Sequence, residues 1–303
     1  MIFSGKISIA NYQSWLKAKI QDYLILVKFR LNFTVVFSSA IGYLLAAGTA
    51  FDLWSLLILS LGGFLVTSSA NAINQVLEKD YDKLMPRTQN RPLATGRMTV
   101  GEGVLIAGLT GIGGLLLLGW YFSSLVALIA AVSLISYGFV YTPLKRISPI
   151  AVFVGAIPGA LPPMIGWVAV SGVITFEAYV LFAIQFLWQF PHFWAIGWLG
   201  ADAYKNAGYK LVPTPETKNP YTAFQAVIYI LALILVSIIP SLIGIVGYTS
   251  IVAGIILGGM FLAAGINLVR KCDNKAALQL MFASIIYLVL LQVVMVIDRM
   301  FIV

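Results

Sequence analysis

Apolar residues in this chain gather into long, nearly unbroken runs separated by short polar connections. Nine runs can be followed, at roughly 26–47, 53–77, 103–120, 123–141, 150–170, 176–199, 221–240, 249–269 and 276–297. Each approaches the about 20 residues that a helix needs to cross a hydrocarbon core. None alternates every second residue, as the strands of a membrane barrel do. The pattern therefore predicts an all-α polytopic membrane protein, a bundle of about nine transmembrane helices. The first 23 residues, MIFSGKISIANYQSWLKAKIQDY, have no apolar core followed by a small-residue cleavage site. They read as a cytosolic or interface-lying lead-in, not a signal peptide. Residues 24–303 then make one intramembrane domain, with no room left for a soluble one.

Composition agrees with the pattern. Of 303 residues, 60% are apolar and 10% charged, and the mean hydropathy is +0.96, outside the range of soluble domains. Charge adds an orientation. Lys6, Lys17, Lys19, Lys28 and Arg30 precede or begin the first run, and basic residues follow the second, fourth, sixth and eighth. The connections near 48–52, 121–122, 171–175 and 241–248 hold no Lys or Arg. The positive-inside rule places the N-terminus and the charged loops in the cytosol and the C-terminus outside, with Arg299 the one exception. The net charge of +8 is thus a matter of topology and attraction to the lipid bilayer, and implies no nucleic acid partner. The single Cys272 excludes an internal disulfide.

One stretch breaks the apolar monotony. NQVLEKDYDKLMPRTQNRPL, residues 74–93, holds seven charged residues of both signs. Asn74, Glu78 and Asp82, spaced by four, share one helix face over about 12 Å, while Asp80 points elsewhere. Hard oxygen ligands without His or Cys suit Mg²⁺, held by one or two carboxylates together with substrate phosphates. Pro86 is expected to end the helix, and Arg87 and Arg91 follow, with guanidinium forks that match phosphate oxygens. The competing reading is a solvated ion-pair face that anchors the helix at the interface. Asp202 and Asn206 repeat the four-residue spacing in GADAYKNAGYKLVP, at the end of the sixth run; Asp202 taken alone reads as a solvated loop residue, and the pair as a second oxygen-bearing face that closes on the same ligand. Tyr141 and Lys145, in YTPLKR, end the fourth run, where Lys145 is either an interface anchor or a lysine long enough to reach a phosphate. His192, the only histidine, lies within the sixth run in WQFPHF beside the helix-loosening Pro191. It is open to three readings: a structural hydrogen bond, an axial ligand for haem iron, or a proton acceptor near the reacting carbon. Small and proline residues from Val154 to Trp167 allow close helix packing or room for a flat ligand.

Together these stretches resemble the UbiA-type intramembrane prenyltransferases over most of the chain, from about residue 24 to the end of the ninth run. Asn74, Glu78 and Asp82 look like that superfamily's first metal motif, Asn-x-x-x-Asp/Glu-x-x-x-Asp, and RTQNRPL is shared across it. The central Glu, GALPPMIGW and WQFPHF are similar to the haem-prenylating branch. The second motif departs from the pattern, with Asn206 for Asp, Ala203 at a frequently acidic position, and AGYKLVP where AGIPMLP is usual. The number of metal ions stays open for that reason.

The resemblance implies transfer of the farnesyl group of farnesyl diphosphate to the 2-vinyl group of haem B, with addition of water, giving haem O. It implies Mg²⁺ on Asn74, Glu78, Asp82, Asp202 and Asn206, diphosphate held by Arg87, Arg91, Lys145 and Tyr141, and haem placed by His192. It further implies a multi-pass protein of the bacterial cytoplasmic membrane with cytosolic active-site loops. Hand-over of product to haem A synthase or a terminal oxidase follows from it too. The alternatives are a related prenyltransferase acting on an aromatic acid, quinone precursor or chlorophyllide, and a membrane transporter.

Overall fold

The computed structural model describes residues 9–210 and 218–302 of the chain. The first eight residues of the lead-in and residues 211–217, which end the AGYKLVP stretch, lie outside the described residues. Thirteen helices are formed by the described residues: α1 Ile9–Leu26, α2 Phe29–Ala47, α3 Leu53–Asp82, α4 Pro92–Thr95, α5 Val100–Tyr121, α6 Ser124–Ile135, α7 Thr142–Leu144, α8 Ala151–Ser171, α9 Phe176–Leu199, α10 Ala201–Asn206, α11 Pro220–Leu242, α12 Tyr248–Lys271 and α13 Asn274–Ile302. Among the described residues nine segments are long and apolar enough to cross a membrane, with α6, a π-helical turn and α7 together counting as one. These nine coincide with the nine runs in the sequence, and no strand occurs among the described residues.

The spans close into a ring. α2 packs on α3 and α8, α3 on α5, α5 on α6, and α6 on α8. α8 then meets α9, which meets α11 and α13, while α12 bridges α11 and α13 and α13 returns to α2. Polar rungs tie the ring across its middle. Asn32 of α2 donates to Ser68 Oγ of α3 at 2.7 Å, and Gln292 of α13 donates to Gln185 of α9 at 3.1 Å. Such bonds have no competing water in hydrocarbon, so they fix helix order and rotation.

The proline-rich α8 stays helical because its neighbours supply what proline removes. Pro162 and Pro163 cannot donate to the carbonyls of Pro158 and Gly159, four residues back. Ser133 of α6 donates to Pro158 O at 3.2 Å, and Gln185 of α9 donates to Gly159 O at 3.1 Å. Gln189 adds a bond to Ala156 O at 2.9 Å. Glycine settles the α2–α8 approach: a Cβ at Gly42 would run into the Pro163 carbonyl, and one at Gly166 into the Ser39 carbonyl.

Two departures from the hydropathy pattern matter for the site. α3 has 30 residues, about 45 Å, and carries its polar end five residues beyond the apolar run. It stops at Asp82, four residues before Pro86, and Thr88 Oγ1 donates to the freed Asp82 carbonyl at 3.0 Å. The fourth span changes register at a π-helical turn, Ser136–Tyr141, which no hydropathy signal marks. The basic residues of the connections gather at the α3 C-terminal end of the bundle, while Trp54, Trp120 and Tyr248 stand exposed near the opposite end. That distribution is the expected one for the two interfaces of a membrane.

Gly42→Ala and Gly166→Ala are each expected to cost about 1–3 kcal/mol through overpacking of α2 against α8. Thermal unfolding in detergent should show both, whereas Gly113→Ala, whose Cβ meets nothing within 4 Å, should leave the transition unchanged.

Candidate active site

The α3 C-terminal turn, the α1–α2 junction, the π-helical turn and the chain around α10 enclose a cavity of about 200 Å3. Its polar wall is the predicted face of α3. Asn74, Glu78 and Asp82 are all buried and all line it, whereas Asp80 is exposed and pairs with Lys83 at 2.9 Å. Asn74 Nδ2 donates to Glu78 Oε2 at 2.7 Å and to Thr142 Oγ1 at 3.2 Å. Arg91 Nη1 donates to both oxygens of Asp82 at 2.8 Å, and Lys145 makes an ion pair with Glu78. Arg87 lines the mouth and its guanidinium meets the Tyr204 hydroxyl at 3.5 Å. Of the predicted residues, Asn74, Glu78, Asp82, Arg87, Arg91, Tyr141 and Lys145 are therefore brought to one place.

Several residues of the wall were missed in the sequence. Lys28 reads there as one more topological charge, yet its left-handed backbone (φ 51°) turns the chain between α1 and α2. Its Nζ donates to Asn74 Oδ1 at 2.7 Å. The π-helical turn presents Tyr137 and Tyr141 to the same cavity, their rings 5.4 Å apart. Thr142 closes that turn by donating to Tyr137 O at 2.8 Å while it accepts from Asn74. The spacing Tyr137, Tyr141, Thr142 in YGFVYT was the available signal. Single π-turns occur often at functional sites because they re-aim side chains that an α-helix would spread.

The structure corrects the expectation for the second loop. Asp202 and Asn206 are exposed and are not among the residues that line the cavity. Gly200 ends α9, and its missing Cβ, which would sit 2.7 Å from the Tyr204 ring, lets that ring fold back onto the chain. α10 consequently turns Tyr204 inward and Asp202 outward. Tyr209 completes this side of the cavity, and Lys210 N donates to Lys145 O at 2.7 Å, fastening the loop to the end of the fourth span. His192 is likewise absent from the wall. It lies on α9 against α13, its Nδ1 2.8 Å from Ser284 Oγ.

Electrostatically the cavity is unbalanced. Lys28, Arg87, Arg91 and Lys145 line it against the two carboxylates Glu78 and Asp82. Burial holds Lys28 well below the ordinary lysine range, and the positive charges of Arg91 and Lys145 push it the same way. Lys145 is lowered too, first by burial, with the Glu78 carboxylate opposing. Burial raises the Tyr209 phenol, and Glu78 adds to the rise. Surplus cationic charge under desolvation is an arrangement that an anionic ligand relieves. The carboxylates and the Asn74 amide oxygen fit Mg²⁺ in the mode it favours, one or two carboxylates completed by phosphate oxygens. Among the described residues no three His, Cys, Asp or Glu side chains gather closely enough to hold a metal ion by themselves, so a closed all-protein cage is not what this wall offers.

The model of the UbiA prenyltransferase family matches residues 35–286. A protein of Cytophaga hutchinsonii named protoheme IX farnesyltransferase is 46% identical over 284 residues, covering 94% of this chain and 99% of that one. A protein of the same name from Flavobacterium johnsoniae is 42% identical, covering 94% and 96%. Among solved structures, a digeranylgeranylglyceryl phosphate synthase shares the fold with a TM-score of 0.78 at 19% identity, covering 93% of this chain and 99% of that one. A UbiA homolog from Archaeoglobus fulgidus, bound to GPP and Mg²⁺, shares it with a TM-score of 0.63 at 15% identity, covering 90% and 99%.

Lys145→Met takes the ion-pair partner from buried Glu78 and should cost about 3–5 kcal/mol in thermal unfolding, most of it recovered in the Glu78→Gln/Lys145→Met double variant. Inorganic pyrophosphate with Mg²⁺ should raise the Tm of the purified protein. Lys28→Met should weaken that binding at least tenfold, about 1.4 kcal/mol.

Proposed function

The chain belongs to the UbiA prenyltransferase family, and we propose that it transfers the farnesyl group of farnesyl diphosphate to the 2-vinyl group of haem B, with addition of water, to give haem O. The observation that carries the reading is the set of four cationic side chains facing Asn74, Glu78 and Asp82 across one enclosed cavity at a membrane end. Identity of 46% to a named protoheme IX farnesyltransferase supports haem as the acceptor.

In this reading Asn74, Glu78 and Asp82 hold Mg²⁺, which when bound neutralises the diphosphate and makes it a better leaving group. Lys28, Arg87, Arg91 and Lys145 surround the diphosphate oxygens and stabilise the charge that grows on them as the carbon–oxygen bond lengthens. Tyr137 and Tyr141 line the same cavity, and aromatic rings beside an allylic cation would stabilise it. Apolar Leu31, Val152, Phe193 and Ile196 form the opposite wall and keep water from that cation until the vinyl carbon attacks. Water then adds beside the porphyrin. The active site faces the cytosol of the bacterial inner membrane, consistent with the clustering of Lys and Arg at that end.

Membranes carrying the protein, given haem B, farnesyl diphosphate and Mg²⁺, should yield a haem whose mass has gained a farnesyl and a hydroxyl group. Chelation of Mg²⁺ should abolish the product. Glu78→Gln and Asp82→Asn should each lower the rate by about 10²-fold or more, while Asp202→Ala changes it less than tenfold. An unmodified haem pool after incubation with the wild-type protein overturns the reading.

A further inference from the structure

His192 takes no part in the cavity wall, yet its surroundings are too ordered for an incidental span histidine. Its ring stacks on Trp188 one turn earlier in α9, with centroids 4.8 Å apart and planes 18° from parallel. Trp188 Nε1 is itself anchored, donating to Ser284 O of α13 at 2.6 Å. His192 Nδ1 lies 2.8 Å from Ser284 Oγ, and Ser284 Oγ lies 2.6 Å from Met281 O.

That chain of contacts decides where the protons are. A carbonyl oxygen carries no hydrogen, so the short Ser284–Met281 bond uses the one hydroxyl proton of Ser284. Ser284 Oγ can then only accept from His192, which places the imidazole proton on Nδ1. The lone pair of the neutral ring is left on Nε2, which makes no hydrogen bond among the described residues. An imidazole that donates through one nitrogen to a fixed acceptor and keeps the other free is the arrangement found at histidine metal ligands.

Position fits the same use. Ile196 lines the cavity, and His192 lies one turn before it on α9, about 6 Å further from the charged wall. If haem is the acceptor, His192 would hold it on the helix that also supplies Phe193 and Ile196 to the cavity wall.

We propose that Ser284 and Trp188 are positioning residues that fix the Nδ1–H tautomer and ring plane of His192, so that Nε2 binds the iron of the haem acceptor. The inference rests on haem being that acceptor. It selects the axial-ligand reading over a proton acceptor, because the ring is built to present a lone pair at a fixed place.

The test is titration of the purified full-length protein in detergent with ferrous haem B, without farnesyl diphosphate, read as the Soret spectrum and as tryptophan fluorescence quenching. The wild-type protein should give a histidine-ligated spectrum that His192→Ala loses and that added imidazole restores. Ser284→Ala should lower haem affinity by about 10–100-fold, the usual effect of removing the partner of a metal-ligating histidine. Ser284→Thr, which keeps the hydroxyl, should return it. If His192→Ala does not accumulate, the Ser284 pair reads the same coordination. Product formation and quenching with a spectrum unchanged by His192→Ala or Ser284→Ala overturn the inference and leave the farnesyl-transfer reading standing. Neither binding nor product in the wild-type protein overturns both.

Discussion

Charge beside hydrocarbon has to be answered by charge, and this requirement organises the reactive end of the molecule. α3 delivers Glu78 and Asp82 to the bilayer boundary in buried positions, where an unpaired carboxylate is costly. Lys145 from the end of the fourth span and Arg91 from the following loop meet them, and Lys28 from the α1–α2 junction meets Asn74 between. The answering cations come from three separate parts of the chain, so the wall can form only when those parts are assembled. Their number exceeds that of the carboxylates. The excess prepares the cavity for an anion instead of making it self-sufficient.

The same logic governs the apolar depth of the bundle with neutral groups. Prolines in α8 open carbonyls that no water can satisfy, and Ser133, Gln185 and Gln189 answer them from α6 and α9. The side chains that repair α8 also hold α9 in its rotation, because Gln185 and Gln189 lie on the face that carries His192 and Ile196 toward the interior. A loosened α8 and the placement of the acceptor side of the site are thus one structural device. The glycines that let α2 press against α8 complete it, since any side chain there would push the two helices apart.

These two halves suit a reaction that creates a cation in a dry place. Charge is concentrated at one end, where the proposed reaction would release diphosphate, and the same cavity carries aromatic and aliphatic groups that would shelter a cation from water. The arrangement also disfavours transport, since the spans carry their Asp, Glu, Lys and Arg residues near their ends and not at mid-depth.

Much of this was legible in the sequence because hydrocarbon thickness and helical period leave few choices. Nine runs gave nine spans, and a four-residue spacing put Asn74, Glu78 and Asp82 on one face and Asp80 on another, since both follow from local geometry. Arg87, Arg91, Tyr141 and Lys145 were found by their chemistry at span ends. What the sequence could not decide depends on how separate segments meet. Lys28 enters the wall only because a left-handed residue turns the chain there, and Tyr137 only because the fourth span slips into a π-helical turn. Asp202 leaves the wall because Gly200 lets Tyr204 take the inward place, a matter of packing that spacing does not encode. His192 was open to three readings in the sequence, and only the fold brings Ser284 of α13, ninety-two residues away in the chain, to 2.8 Å from its ring. Local period and solvent fixed the elements, and long-range hydrogen bonding fixed which atoms face the chemistry.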